Sequence, residues 1–151
     1  MITIDPLFDP DNRISFNEPQ IDAIPKFGSI LYTIWNKSDE FVYVGIGGIR
    51  GVKVEDRNPR SRILQHSQGM RSGDQFCIYV QDHFVLPQLI DKPYKAENGL
   101  LDRLVREYIR ENLSYSYVID QSLEGNNRVR DYERRIQQGA WRGMKPLLNP
   151  I

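Results

Sequence analysis

The stretch that decides the fold runs from residue 28 to residue 46 and reads GSILYTIWNKSDEFVYVGI. Its two halves are rich in β-branched and aromatic residues, and the polar residues 36–40 between them resemble a turn. This pattern predicts a β-hairpin. If Tyr32 pairs opposite Tyr43, the turn is centred between Lys37 and Ser38, and both phenols lie on one face of the sheet. A pair of core aromatic residues is the alternative explanation for these tyrosines.

The remaining segments predict further elements around this hairpin. Residues 1–27 form either an extended arm packed on the domain or a partly ordered tail, and residues 28–151 form the domain itself. We expect, in chain order, a helix over 60–68 with Ile63 and Leu64 facing inward, a strand over 76–86, a helix from 100 to 109, a strand over 114–119, and a helix capped by Asn127 and ending at Gly139.

Length and composition favour one ordinary globular domain. The chain has 151 residues, and no apolar run approaches the roughly 20 residues that a membrane-spanning helix needs. The single cysteine, Cys77, excludes an intramolecular disulfide framework and a cysteine-rich zinc site. The first residues lack the basic region and long apolar core of a signal peptide, so we expect a cytoplasmic location.

The charge is balanced overall but unevenly distributed. Twenty basic and twenty acidic residues give a formal net charge of zero, which argues against strong non-specific binding to nucleic acid. Between residues 50 and 71, however, basic residues outnumber acidic ones. The positions expected to contact nucleic acid are Arg50, Lys53, Arg57, Arg60 and Arg71. A solvated surface is the competing interpretation of this patch.

Two polar residues in the first predicted helix have the spacing of a phosphate site. Arg62 and His66 are four residues apart and therefore share one face of a helix. A guanidinium group binds phosphate through paired, planar hydrogen bonds. Arg60 is the alternative register for the arginine, and a polar surface face is the alternative explanation for the pair.

A carboxylate and an amide near the C-terminus complete the set of candidate residues. Glu133 lies beside the apolar stripe of the last helix and is surrounded by arginines, so it is either a surface ion-pair partner or a ligand for a hard cation such as Mg²⁺. Asn149 lies in an otherwise apolar segment, where its amide either orients water or phosphate or forms a turn before Pro150.

Taken in order, these residues resemble the GIY-YIG nuclease family. Ile30-Leu31-Tyr32 stands where the family has its first motif, and Tyr43-Val44-Gly45 stands where it has the second, with ten residues between the tyrosines. The Arg62–His66 pair, Glu133 and Asn149 match the later motifs in order. The chain departs from the pattern in reading Ile-Leu-Tyr for Gly-Ile-Tyr. Its longer segment before Glu133, and its ending, resemble the restriction-enzyme branch.

The resemblance implies an α/β fold, with a small and mainly antiparallel sheet flanked by helices. It also implies an endonuclease that hydrolyses DNA with the help of a metal ion. In that interpretation Glu133 holds Mg²⁺ or Mn²⁺, and Arg62 stabilises charge on the phosphoryl group. Either Tyr32 or Tyr43 helps to deprotonate the attacking water. His66 supports that base or binds phosphate, and Asn149 places substrate or water.

Two other functions are compatible with these residues. One is a nucleic-acid-binding module of the same fold that does not cut, and the other is a small protein-interaction domain. We expect the substrate of the enzyme to be double-stranded DNA. Since each chain carries one candidate site, cutting both strands requires a homodimer or two sequential events.

Overall fold

The computed structural model describes residues 2–92 and 94–149, in which one antiparallel sheet is flanked by helices. The strands are β1 (Ile14–Ser15), β2 (Ser29–Asn36), β3 (Phe41–Gly47) and β4 (Leu113–Asp120). Their order across the sheet is β1-β4-β2-β3, and each neighbouring pair is antiparallel. The predicted fold class, a small antiparallel sheet flanked by helices, is therefore confirmed. Met1, Pro150 and Ile151, which bound the predicted arm and domain, lie outside the described residues.

The predicted hairpin forms, but its register differs from the expected one. Tyr32 pairs with Gly45, and Tyr43 pairs with Ile34. The turn closes at Asn36, whose Oδ1 accepts hydrogen bonds from the backbone N–H groups of Ser38 and Glu40. An irregularity between Ile34 and Trp35 then changes the register of the residues that follow the turn. Because side chains alternate along a strand, a shift of two residues leaves both tyrosines on the same face. Their ring centroids are 6.5 Å apart.

Helices cover both faces of the sheet. They are α1 (Ser61–Gln68), α2 (Gln75–Val80), α3 (Leu86–Leu89), α4 (Leu100–Asn112) and α5 (Gly125–Gln137), and a wider π-helical turn at Gln81–Val85 joins α2 to α3. One core lies between the sheet and α1, α2 and α4, through Ile63, Phe76 and Ile109. The other core lies between the opposite face of the sheet and α5. No helix within residues 2–92 and 94–149 has the length and apolar character needed to cross a membrane.

The prediction of a strand over 76–86 is wrong, because this segment is helical. Asp74 caps α2, and its side chain accepts a hydrogen bond of 3.1 Å from the backbone N–H of Phe76. Phe76, Cys77 and Val80 then share one helical face and are fully buried. A short apolar run has the same composition in a buried strand and in a buried helix, so the cap decides which of them forms.

Two smaller expectations also fail. Ile63 is buried as predicted, whereas Leu64 is 43% exposed, because only one side of α1 faces the sheet. Asn127 does not cap α5. The helix begins at Gly125, and the Asn127 side chain lies in its first turn, where it donates a hydrogen bond to Glu124. Gly139, just beyond the helix, has the left-handed backbone expected of a residue that ends it.

The segments before the hairpin and after α5 both join the sheet. Residues Leu7, Phe16 and Ile24 are fully buried, and β1 pairs with β4, so the N-terminal arm contributes to the core. At the other edge, the backbone N–H groups of Leu147 and Leu148 donate hydrogen bonds to the carbonyls of Phe41 and Val42. The candidate site lies along β3 from Tyr43 to its end at Gly47.

Candidate active site at the edge of the sheet

Two glycines of β3 allow the site residues to lie directly against the strand. A Cβ atom added at Gly45 would lie 2.5 Å from Cζ of Tyr32, and one added at Gly47 would lie 2.9 Å from Cγ of Arg62. Both distances are too short for any real side chain, so the Tyr32 ring and the Arg62 stem occupy the space that a larger residue would take. The Tyr32 ring can therefore pack against β3 only because residue 45, the last of Tyr43-Val44-Gly45, is a glycine.

Tyr32 begins a buried chain of hydrogen bonds. Its hydroxyl oxygen is 2.6 Å from Nε2 of His66, and Nδ1 of His66 is 2.7 Å from Oδ2 of Asp74. All three side chains are buried. Burial lowers the pKa of His66 despite its bond to Asp74, so the ring is neutral. Since a carboxylate can only accept, His66 Nδ1–H donates to Asp74, and Nε2 accepts the hydroxyl proton of Tyr32.

Asp74 forms the last member of this chain of hydrogen bonds. Burial acts to raise the pKa of Asp74, but hydrogen bonds from His66 and from the Cys77 thiol outweigh that effect and lower the pKa. Asp74 is thus a stable anion that joins the start of α2 to His66 on α1. Cys77 is buried, as its apolar surroundings predict, and burial raises the pKa of its thiol.

In front of this buried chain lies an open cleft of about 660 Å³. Tyr43, Arg62 and Glu133 line it, together with Gln65 and the loop that follows β3. These residues come from a strand and two helices. Helix α5 packs on the opposite face of the sheet from α1, but β3 is the outermost strand. Glu133 therefore reaches the cleft around the edge of β3.

Within residues 2–92 and 94–149, the carboxylate of Glu133 has no hydrogen-bond partner. It is partly buried, and burial raises its pKa to about 7 even though the charges of Arg130 and Arg62 act to lower it. No hydrogen bond contributes to this shift. The charge of Glu133 also acts on Tyr43. Burial, followed by this charge, raises the pKa of the Tyr43 phenol to about 12, although the charge of Arg62 acts to lower it.

Arg62 connects the cleft to the buried chain. Its guanidinium donates a hydrogen bond of 3.1 Å to Oε1 of Gln65. Burial acts to lower the pKa of Arg62, but its interactions with Tyr32 and with the Asp74 carboxylate more than offset it, so the pKa is raised. Arg62 is therefore a fixed positive charge that faces the cleft. Arg60, the alternative register, instead donates to the carbonyl oxygen of Ile24 in the N-terminal arm.

The structure gives His66 and Asn149 positioning roles. His66 is fully buried and both ring nitrogens are bonded, so it does not contact phosphate, which leaves the supporting role. Asn149 Oδ1 accepts from the backbone N–H of Val44 at 2.8 Å, and its Nδ2 donates to the carbonyl of Val44 at 2.9 Å. It thus holds the edge of β3 between Tyr43 and Gly45, and its role in placing substrate or water stays a prediction.

The predicted basic patch is only partly available to a ligand. Arg57 is 3% exposed and donates to the carbonyls of Gly51 and Ser122, and Arg71 is paired with Asp102. Arg57, Arg60 and Arg71 thus make contacts within the protein, and their role as nucleic-acid contacts stays a prediction. Arg50 and Lys53 are exposed, and Arg50 lines the cleft.

A single hard cation fits the groups at this site. Within residues 2–92 and 94–149 no three His, Cys, Asp or Glu side chains are grouped to hold a metal ion. Mg²⁺, however, often takes one or two carboxylates and completes its shell with water and substrate phosphate. Glu133 offers one such carboxylate. It is partly buried, and burial disfavours its ionised form.

Sequence reasoning missed two contributors to the site. Asp74 precedes a segment whose composition predicts a strand, although an Asp shortly before an apolar run is a helix-start signal. Gln65 lies between Arg62 and His66 and carried no signal of its own.

Comparisons with known proteins add nothing to this geometry. Comparison of the chain with protein-family models, with curated proteins and with solved structures gives no match.

Proposed function

We propose that this protein is a metal-dependent endonuclease of the GIY-YIG type that hydrolyses phosphodiester bonds in DNA. One observation carries the proposal: Tyr43, Arg62 and Glu133, from three separate elements, line the same open cleft, and Glu133 has no hydrogen-bond partner among the described residues. These are a phenol, a guanidinium and a carboxylate, which are groups suited to water activation, phosphate binding and metal binding.

Glu133 is the residue that would hold the Mg²⁺ or Mn²⁺ ion. When bound, the cation would polarise the phosphate and stabilise the leaving oxygen. Because burial raises the pKa of Glu133 to about 7, the protein disfavours the bare carboxylate and favours its neutralisation by a cation.

Arg62 would bind the phosphoryl oxygens. Its stem lies against Gly47 and its guanidinium is bonded to Gln65, so its position is set before any substrate arrives. Pre-organised positive charge is what stabilises negative charge that develops on a phosphoryl group during reaction.

Of the two tyrosines, Tyr43 is the one that would meet the attacking water, because Tyr32 is fully buried. Tyr43 must lose its own proton to act as a base, and the charge of Glu133 is one cause of its raised pKa. Neutralising that charge removes this cause. Tyr32, with His66 and Asp74, would keep Arg62 and the strand under Tyr43 in place.

Cleavage of supercoiled plasmid DNA tests the proposal. The wild-type protein should convert it to the open circular form with Mg²⁺ or Mn²⁺ and should be inactive with EDTA. Glu133→Gln should abolish cleavage without lowering the melting temperature, and Arg62→Lys should slow it much more than it weakens DNA binding. Glu111→Gln, at an exposed glutamate on α4 that does not line the cleft, is the matched control and should cut at the wild-type rate.

The failures of this experiment have distinct meanings. Cleavage at the wild-type rate by Glu133→Gln would remove the metal-site assignment. Salt-dependent DNA binding without cleavage would indicate a non-cutting module, and the lack of both would favour a protein-interaction domain. Direct appearance of linear product would indicate that two chains act together on the two strands, whereas open circles first would indicate sequential cuts.

A further inference from the structure

A second depression, of about 330 Å³, opens beside the cleft. Its walls are the loop after β3 and the turn that leads from β4 into the first residues of α5. Ile49, Arg50, Gly51 and Arg57 line both the depression and the cleft, so the two are continuous. A molecule held in the cleft would therefore extend into the depression.

The lining of the depression combines apolar and amide groups. Val52 is 88% exposed and Leu123 is 64% exposed, so both present apolar surface at the depression. Asn126 and Asn127 add two amides, Arg50 adds a positive charge, and Glu124 adds a carboxylate that accepts a hydrogen bond from Asn127. A nucleobase has an apolar face or methyl group and an edge of hydrogen-bond donors and acceptors, which are the groups that such a lining contacts.

The two walls are fastened to each other. The buried guanidinium of Arg57 donates from Nε to the carbonyl of Gly51 at 2.8 Å, and from one terminal nitrogen to the carbonyl of Ser122 at 3.3 Å. This residue was expected to bind nucleic acid, but its hydrogen bonds instead join the loop to the turn. The depression is thus formed before any ligand binds.

Helix α5 sets the distance between the depression and the proposed metal site. Asn126 and Glu133 are seven residues apart on it, which corresponds to about 10 Å along the axis at about 1.5 Å per residue. That length corresponds to about three base-pair steps of DNA at roughly 3.4 Å each. Both residues lie on one side of the helix, since seven residues are close to two turns.

We propose that the depression reads one nucleobase within about three nucleotides of the scissile phosphate, with Asn126 as the specificity-determining residue. This inference rests on the proposed endonuclease function and adds to it a sequence preference at a fixed offset from the cut. Val52 and Leu123 contact the base, Asn126 hydrogen-bonds its edge, and Arg50 binds the adjoining phosphate.

Sequencing the ends of cleaved DNA tests the inference. A pool of duplexes with random sequence is digested with Mg²⁺, and base frequencies are counted at each offset from the cut. The wild-type protein should show a preference at one offset within that distance. Asn126→Ala should reduce that preference about tenfold and leave other offsets unchanged, and Leu123→Ala should weaken it. Gln138→Ala, at an exposed amide beyond the other end of α5, is the matched control and should retain it.

The outcomes separate this inference from the function on which it rests. Cleavage without a preference near the cut, or a preference that survives in Asn126→Ala, overturns the subsite and leaves the nuclease in place. If the wild-type protein does not cut, the endonuclease proposal fails, and repeated selection of bound DNA from the same pool replaces sequencing. Enrichment of one base that disappears in Asn126→Ala then supports base reading, and no enrichment overturns it.

Discussion

Gly45 shows how one residue without a side chain decides the position of another. The Tyr32 ring lies over Gly45, where a Cβ atom would come within 2.9 Å of Cε2 and still closer to Cζ and the hydroxyl oxygen. The His66 bond then fixes the hydroxyl. At the scale of single residues, the spacing between Tyr32 and Gly45 therefore matters more for packing than the spacing between the two tyrosines.

Gly45→Ala should consequently lower the stability of the protein. The added methyl group must displace a fully buried ring, and such overpacking typically costs about 1–3 kcal/mol. Unfolding in urea measures the change. In the double variant, Tyr32→Phe should recover only part of the lost stability. Two of the three Tyr32 atoms close to the added methyl group are ring carbons, which Phe keeps. Wild-type stability of Gly45→Ala would mean that the ring does not lie over the strand.

Glu133 predicts an unusual dependence of stability on pH. Its pKa is about 7 in the folded protein, against 4.5 for an ordinary glutamate. Between these values the folded state binds more protons than the unfolded state, so stability falls as pH rises, and the full penalty applies above pH 7. Glu133→Gln should therefore stabilise the metal-free protein at pH 8 by about 1–3 kcal/mol and have little effect below pH 4.5.

Thermal melts with and without Mg²⁺ at several pH values check this prediction. Mg²⁺ should raise the melting temperature of the wild-type protein at pH 8, less so as pH falls through 7, because proton and metal compete for the same oxygens. It should not do so for Glu133→Gln. Equal stability of the two proteins at pH 8 would show that Glu133 is not held in a partly buried, unpaired state.

At the scale of elements, the strength of local signals decided what could be predicted. The hairpin has β-rich halves on either side of a polar turn, and α4 has a clear helical period, so both were predicted correctly. Residues 76–86 were not, because a short apolar run carries no period that separates a buried strand from a buried helix. The distinguishing signal was the single carboxylate of Asp74, which acts both as the cap of α2 and as the partner of His66.

Replacing Asp74 separates these two roles. Asn is also a good helix cap, so Asp74→Asn should keep α2, whereas Asp74→Ala should lose about 1 kcal/mol or more of stability. In Asp74→Asn an amide nitrogen faces Nδ1 of His66 and cannot accept its proton. We therefore expect the proton on Nε2 instead. Nε2 can then no longer accept a hydrogen bond from the Tyr32 hydroxyl. Nitrogen NMR of His66 should show this change in Asp74→Asn, with cleavage slowed roughly tenfold or more. An unchanged tautomer would contradict the hydrogen-bond chain.

At the scale of the whole molecule, the candidate site depends on contacts between distant segments. The resemblance of the ordered candidate residues to a nuclease family implied a common site, and Tyr43, Arg62 and Glu133 do line one cleft, whereas Tyr32 and His66 lie buried behind it. The sequence could not reveal that Arg57 and Arg60 fasten loops, because an arginine that binds a carbonyl has the same local sequence as one that faces solvent. The same reason explains Asn149, whose partner Val44 is 105 residues away.

Asn149 tests how far the closing segment supports the site. Its amide makes two hydrogen bonds to Val44, between Tyr43 and Gly45, while Leu147 and Leu148 cover the neighbouring part of β3. Asn149→Ala should therefore expose the Val44 amide to faster hydrogen exchange, lower stability by about 1–2 kcal/mol and slow cleavage without weakening DNA binding. Asn149→Asp should retain the bond from the Val44 N–H and lose the one to its carbonyl. If Asn149 instead acts by contacting substrate, both variants would lose cleavage while exchange at Val44 stays at the wild-type rate.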